Sequence, residues 1–172
     1  GVKWELAQWP GMQGHNWGKE HTPRYAWGQC WFAPPNEMPC MVEGFSGCIR
    51  VVGRLSPPFS ALAIRRGDET FIFNGMVDLW NQKTEMNYPR WMLSMRSKRA
   101  SAKLVMTAKP DEMVCLGYDN PDGQRSYCLN SKIAEVELTV TPRKGSPFSY
   151  RSLHGGALEF LLPHNPGFDT VV

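Results

Sequence analysis

The sequence predicts an all-β domain, an antiparallel β-barrel or β-sandwich of roughly 8–10 strands. Apolar and polar residues alternate along most of the chain, as in residues 134–140, where Val136, Leu138 and Val140 point to one face. Turn-forming residues recur about every 8–12 residues, which is the spacing of short antiparallel strands. Fourteen prolines and sixteen glycines fit these turns and oppose long helices.

The individual strands follow from alternation and from enrichment in aromatic and β-branched residues. We predict strands at residues 2–7, 25–32, 61–65, 70–73, 90–96, 102–108, 112–118, 124–129, 134–140 and 157–162. Residues 41–55 hold either two short strands or one long bent strand, with Gly44, Gly47 and Gly53 as candidate bulges. Residues 76–80 form at most a helical turn.

Two turn sequences fix hairpins within this pattern. Residues 66–69, Arg-Gly-Asp-Glu, predict a hairpin turn. Residues 120–123, Asn-Pro-Asp-Gly, combine the four residue types that favour turns most strongly. The strands on either side of each turn are therefore expected to pair.

Length and composition limit the class of protein. A chain of 172 residues favours one domain, which we place at residues 1–162, followed by an irregular surface tail at 163–172. An apolar fraction of 42% and a charged fraction of 20% indicate a globular protein. The net charge of +3 is too small to indicate nucleic-acid binding. We expect no membrane span and no signal peptide, because apolar runs of about 18 residues and a basic-then-apolar N-terminus are both lacking.

The five cysteines show no metal-finger spacing. We interpret them as reduced, partly buried thiols in a reducing compartment, which favours the cytoplasm or the plastid stroma. Disulfides between Cys30 and Cys48 or between Cys115 and Cys128 remain the alternative.

A candidate site begins at residues 14–18, where His15, Asn16 and Trp17 stand between two glycines. Imidazole titrates near neutrality, so His15 is the leading acid–base candidate. Asn16 could orient a hydroxyl or carbonyl, and Trp17 could line an apolar pocket. Alternatively, His15 and Asn16 cap a turn while tryptophans fill the end of a barrel.

The next strand adds further candidates. Trp27 and Trp31 could bind substrate through their aromatic faces, and Gln29 between them could hold a polar group. Glu43, on the strand after that, could partner His15 or donate a proton itself.

Other motifs have plainer explanations. The four histidines are dispersed, and we expect no metal site. Arg66-Gly67-Asp68 matches an integrin-binding tripeptide, but a hairpin turn accounts for it. The cations of residues 96–103 either contact phosphate or anionic lipid or form a solvated strand face.

Residues 15–18, His-Asn-Trp-Gly, resemble a string shared by tocopherol cyclases, carotenoid 1,2-hydratases and AttH-like proteins. In that superfamily a proline and an aromatic strand ending near a glutamine follow the string. Here Pro23, Tyr25, Trp27, Gln29 and Cys30 keep that order, and residues 130–140 are similar to the family's closing strands. In the hydratases a Tyr-x-Asp-like string lies on the next strand. Residues 41–43, Met-Val-Glu, supply the acid but not the tyrosine.

The resemblance implies a lipocalin-like β architecture, with two β domains in most members. This chain would then match the C-terminal half, so a second β domain or a homo-oligomer could complete the site. Members protonate or cyclise hydrophobic isoprenoid chains without a redox cofactor, which implies a hydrophobic small-molecule partner and leaves peripheral membrane contact open.

We therefore expect a cofactor-independent cyclase, hydratase or isomerase with His15 and Glu43 as catalytic residues. Asn16, Trp17, Trp27, Gln29 and Trp31 would bind substrate. The alternatives are a non-catalytic lipid carrier and a carbohydrate-binding β-sandwich. An enclosed pocket that holds an ionisable group would favour the enzyme. A closed pocket without ionisable groups would favour the carrier, and a flat, exposed tryptophan surface would favour the carbohydrate binder.

Overall fold

The fold is all-β, as the sequence predicts. The computed structural model describes residues 2, 3, 5, 7, 22–75 and 80–171. Apart from a 3-10 turn at Pro110–Glu112, the regular elements among these residues are mainly strands. They are β1 (Arg24–Phe32), β2 (Cys40–Cys48), β3 (Arg50–Val51), β4 (Arg54–Leu55), β5 (Phe59–Arg66), β6 (Glu69–Phe73), β7 (Lys83–Asn87), β8 (Arg90–Arg96), β9 (Ala100–Thr107), β10 (Val114–Asp119), β11 (Arg125–Pro142), β12 (Phe148–Leu162) and β13 (Thr170–Val171).

One large sheet contains all of these strands except the small β3–β4 hairpin. Its order is β6-β5-β2-β1-β12-β11-β9-β8-β7, with β10 paired to the first part of β11 and β13 paired to β10. β11 is 18 residues long because it pairs with β12 along most of its length while changing its other neighbour from β10 to β9. The register of β11 on β12 shifts between Ser131 and Val136, at the same place as this change. The sheet curls into a half-barrel of the lipocalin-like class.

Alternation decides which residues fill the half-barrel. Val136, Leu138 and Val140 of β11 lie on one face, as predicted, and all three are fully buried. Among the described residues, Trp91 of β8 is the largest fully buried side chain. A Cβ atom built on Gly44 would lie 2.8 Å from Cη2 of Trp91, so the absence of a side chain on β2 makes room for the indole. Large side chains thus occupy the described interior.

A chain of buried hydroxyls crosses the interior. The indole N–H of Trp91 donates to Oγ of Ser46 at 3.0 Å, and Ser46 and Ser60 share a hydrogen bond of 2.8 Å. Ser60 continues to the hydroxyl of Thr84 on β7, also at 2.8 Å. Because β7 and β5 are far apart in the sheet order, this contact shows how strongly the sheet curls. Each of these polar groups therefore has a hydrogen-bond partner within the protein.

The predicted turns are confirmed. Gly67 has φ of +56° in the two-residue turn that joins β5 to β6, a conformation that suits glycine. Residues 120–123 join β10 to β11, with the N–H of Gly123 bonded to the carbonyl of Asn120 at 2.9 Å.

Other local predictions need correction. Residues 2, 3, 5 and 7, the described part of the predicted first strand, lie in no strand, and Val2 is 81% exposed. Residues 41–55 form all of β2 except its first residue, followed by the β3–β4 hairpin. Gly44 and Gly47 are not bulges, because the register of β1 on β2 is continuous, and Gly53 lies in the β3–β4 turn with φ of +74°. Of the helical turn at 76–80, residues 76–79 lie outside the described residues.

The tail is irregular at residues 163–169 and then adds β13, which pairs in parallel with β10. Phe168 packs against the core, and the side chain of Asn165 bonds the carbonyl of Phe168 at 2.7 Å. These contacts hold the tail on the sheet.

All five cysteines are free and buried. Neither alternative disulfide is present. Burial raises the pKa of Cys30 to about 11 and that of Cys40 to about 12. These thiols are therefore protonated at neutral pH and serve as small core residues.

Candidate functional site

The predicted residues of β1 and β2 lie on the outer face of the sheet. Ala26, Gly28 and Cys30 point into the core, so Trp27, Gln29 and Trp31 point outward. Trp27 and Gln29 are half-buried, whereas Trp31 is 46% exposed.

Glu43 lies beside Trp27 on this outer face. Gln29 and Glu43 are direct cross-strand partners of β1 and β2. The indole N–H of Trp27 donates to Oε1 of Glu43 at 3.1 Å. Within the described part of the chain, this is the hydrogen bond that the Glu43 carboxylate accepts.

A second carboxylate lies on the other side of Trp27. Glu159 of β12 is the direct cross-strand partner of Trp27. Asn130 of β11 donates to Oε1 of Glu159 at 2.6 Å, and Nζ of Lys132 lies 3.3 Å from the same oxygen. The Lys132 ammonium also lies 5.8 Å from the centroid of the Trp27 ring. We call Trp27, Gln29, Glu43, Asn130, Lys132 and Glu159 the Trp27 site.

The electrostatics of the Trp27 site favour positive charge. Two carboxylates flank one indole, whose π face attracts cations. One ammonium, that of Lys132, already occupies the region above the ring, but its side chain is 64% exposed. An exposed pair of this kind is weak, so a ligand could displace the lysine.

A cluster of two half-buried tyrosines, Tyr25 and Tyr118, and the buried Cys128 adjoins the site. Burial, then the neighbouring Cys128 and Glu159, raises the pKa of Tyr25 well above its usual range. Burial, and next the charge of Glu159, raises the pKa of Cys128 to about 11. Burial raises the pKa of Tyr118 to about 12. All three groups are therefore neutral at pH 7, and Cys128 is not a thiolate nucleophile.

His15, Asn16 and Trp17 lie outside the described residues. The predicted contact of Trp17 with His15 or Trp27, and the predicted partnership of His15 with Glu43, therefore stay predictions. Within the described part, the structure brings together Trp27, Gln29 and Glu43. Trp31 lies further along the same strand face.

Sequence reasoning missed Glu159, Asn130 and Lys132. They come from strands far along the chain, and only the pairing of β1 with β12 and of β12 with β11 places them at Trp27. The one available signal was that Glu159 is a charged residue between two apolar neighbours in the predicted strand 157–162, which places it on the outer face.

The described residues offer neither a metal-binding cluster nor a membrane-spanning helix. In this part of the chain, groups of three or more His, Cys, Asp and Glu side chains that could hold a metal ion do not occur. Likewise, the described residues contain no helix of sufficient length and apolarity to cross a bilayer.

Comparison with known proteins gives a structural similarity but no match by sequence. Family models and curated proteins give no match. The chain is similar to a solved structure of a provisionally assigned AttH protein from Nitrosomonas europaea, with 9% sequence identity and a TM-score of 0.49. The similarity covers 83% of this chain and 52% of that one, so the chain spans about half the length of the solved protein.

Proposed function

We propose that the protein is a cofactor-independent cyclase, hydratase or isomerase that acts on a hydrophobic, isoprenoid-like molecule at the Trp27 site. The proposal is supported chiefly by one observation, the position of the Trp27 indole between the carboxylates of Glu43 and Glu159. Protonation of an alkene creates a cation, and an aromatic ring with flanking carboxylates would stabilise that charge as it develops.

Glu43 is the proposed proton carrier. Its Oε1 atom is held by Trp27 at 3.1 Å, which fixes the carboxyl group, while Oε2 would give a proton to an alkene or take one from a hydroxyl. Gln29, its cross-strand partner, would orient the polar end of the substrate. His15 remains the second candidate acid–base group, as the sequence motif suggests.

Water exclusion would decide between cyclisation and hydration. Leu161 of β12 and Cys128 of β11 face outward in register with Tyr25, yet both are fully buried. The outer face next to Trp27 is thus partly dry, which suits an apolar substrate. The filled interior of the half-barrel gives less support to a carrier that encloses lipid there.

The test is turnover of polyprenyl phenols and polyprenyl alcohols in D₂O, followed by mass spectrometry of the products. Protonation of an alkene carbon by the enzyme would place a non-exchanging deuterium in the product. Glu43→Gln should reduce turnover by about 10²-fold or more, the usual contribution of a general acid or base. His15→Ala is expected to do the same, and Trp27→Ala should weaken both turnover and binding.

Glu137→Gln is the matched control. Glu137 is a 55% exposed strand residue of β11 outside the Trp27 site, and its substitution should leave turnover unchanged. Equal turnover by wild type and Glu43→Gln would contradict the proposed role of Glu43. Ligand binding without turnover in the wild type would favour the carrier.

Carbohydrate binding without catalysis is a second candidate, favoured by the 46% exposure of Trp31 on the face that carries Trp27. In that case Trp31→Ala should abolish retention on polysaccharide, while Glu43→Gln should have little effect. Affinity electrophoresis in gels with and without soluble polysaccharide distinguishes the two functions.

A further inference from the structure

A polar groove of about 290 Å³ lies on the outer face of β8, β9 and β11. The groove and the Trp27 site have no residue in common. Asn81 lies at one side of it. Two cations and four hydroxyl side chains line it, namely Arg96, Lys103, Ser94, Ser101, Thr139 and Thr141. We call these six residues the hydroxyl–cation groove.

The sheet register arranges the groove in two rows. The rows of direct cross-strand partners are Ser94–Lys103–Thr139 and Arg96–Ser101–Thr141. Each row therefore holds one cation and two hydroxyls. Direct partners on one face are separated by about 5 Å and diagonal neighbours by about 7 Å, so one small ligand can reach both rows.

The two cations are not neutralised within the described part of the chain. Ion pairs there involve other residues, and none joins a carboxylate to Arg96 or Lys103. The acidic residue nearest in register is Glu137, one row beyond Thr139 on β11, and it pairs with Arg151 at 3.6 Å.

The adjoining turns add more positive charge. Lys98, Arg99, Arg143 and Lys144 are all exposed. The N–H of Arg143 donates to the carbonyl of Arg99 at 2.7 Å, which ties the two turns together. Residues 94–103 and 139–147 contain six cations and no Asp or Glu, although the net charge of the whole chain is only +3. Positive charge is thus concentrated at the groove and at the end of the half-barrel next to it.

We propose that the hydroxyl–cation groove binds a phosphate group. A tetrahedral phosphate offers several acceptor oxygens, which can take hydrogen bonds from hydroxyls on three strands while Arg96 and Lys103 supply charge-assisted bonds. The flat guanidinium of arginine matches two phosphate oxygens at once. A carboxylate, with two oxygens in one plane, would leave most of the hydroxyls without a partner.

The phosphate could belong to a soluble molecule or to the headgroup of an anionic lipid. Trp80, which precedes Asn81 at the side of the groove, is 89% exposed. An exposed tryptophan beside cations is typical of protein surfaces that contact a membrane interface. The same hydrogen bonds and charges would bind the phosphate group from either source, and the experiment below distinguishes a soluble ligand from a lipid headgroup.

Soluble binding is measured by isothermal titration with inorganic phosphate and pyrophosphate, and lipid binding by flotation with phosphatidylcholine vesicles with and without phosphatidic acid. Arg96→Gln/Lys103→Gln should reduce affinity at least about tenfold, since hydrogen bonds to charged groups are the strong ones. Ser101→Ala/Thr141→Val keeps the charge and should reduce affinity about fivefold or more through lost hydrogen bonds.

Arg50→Gln/Arg54→Gln removes the same charge from the exposed β3–β4 hairpin and should leave affinity unchanged at fixed salt. Circular dichroism confirms that each variant is folded. Binding of pyrophosphate without flotation identifies a soluble ligand, and flotation that requires phosphatidic acid identifies a headgroup. The proposal is overturned if none of the probes binds, if acetate competes as well as phosphate, or if the hairpin variant loses as much affinity as the groove variant.

Discussion

Replacing Ser46 by alanine is expected to destabilise the protein more than the loss of one oxygen atom suggests. Ser46 is fully buried and links the indole N–H of Trp91, at 3.0 Å, to the hydroxyl of Ser60, at 2.8 Å. The substitution removes both hydrogen bonds and leaves the buried indole N–H without an acceptor. An orphaned donor and a lost bond together cost about 2–4 kcal/mol of the free energy of unfolding.

Trp91→Phe separates the two contributions. It removes the donor, so no N–H is left unpaired, and Ser46 keeps its bond to Ser60. The lost hydrogen bond costs about 1 kcal/mol, and the small cavity left by the larger ring costs about 1–2 kcal/mol. The double variant Ser46→Ala/Trp91→Phe has no orphaned donor. Its loss of stability should therefore be about 1–2 kcal/mol smaller than the sum of the losses of the two single variants.

Urea unfolding followed by circular dichroism measures these free energies without relying on the fluorescence of Trp91. Ser149→Ala, at an exposed position of β12, is the matched control and should change stability by less than about 0.5 kcal/mol. If the effects of Ser46→Ala and Trp91→Phe are simply additive, the two side chains do not form the buried network described above.

Four further predictions concern buried or half-buried positions. Gly44→Ala should cost about 1–3 kcal/mol in the same unfolding assay, because the new Cβ would lie 2.8 Å from the indole of fully buried Trp91. Cys128 keeps its proton longer in the folded state, since its pKa rises from 9.0 to about 11, so stability should be complete below pH 9 and fall between pH 9 and 11. Glu159→Gln should lower that pKa, seen as a smaller fall in stability between pH 9 and 11; an unchanged fall would contradict the assigned influence of Glu159. Phe168→Ala should cost about 1–2 kcal/mol and speed proteolysis of the tail, and an unaltered cleavage rate would show that the tail is not held by this ring.

The strands predicted well are those with one buried and one exposed face. Val136, Leu138 and Val140 alternate cleanly because β11 has core on one side and solvent on the other. β7 was not predicted, because its sequence Lys-Thr-Glu-Met-Asn buries only Met86 well. The first part of β12 was missed because glycines at 155 and 156 suggest a break, whereas the strand continues through them.

The candidate site was predictable where its parts are close in sequence. Trp27, Gln29 and Glu43 lie on consecutive strands joined by one connection, so a shared face was a direct expectation. Glu159 and Lys132 could not be assigned in this way. Their position depends on which strand becomes the second neighbour of β1, and no local pattern encodes that choice.

The pairing of β1 with β12 also determines when the chain can fold. Residues 25–30 find their second partner only at residues 156–161, so β1 keeps an open edge on a ribosome until almost the whole described sequence has been synthesised. Bringing such distant segments together is slow, because chain entropy must be lost before any contact is gained. A nascent chain that stops before β12 would expose the backbone of β1 to other chains, so early termination would favour aggregation over a smaller folded unit.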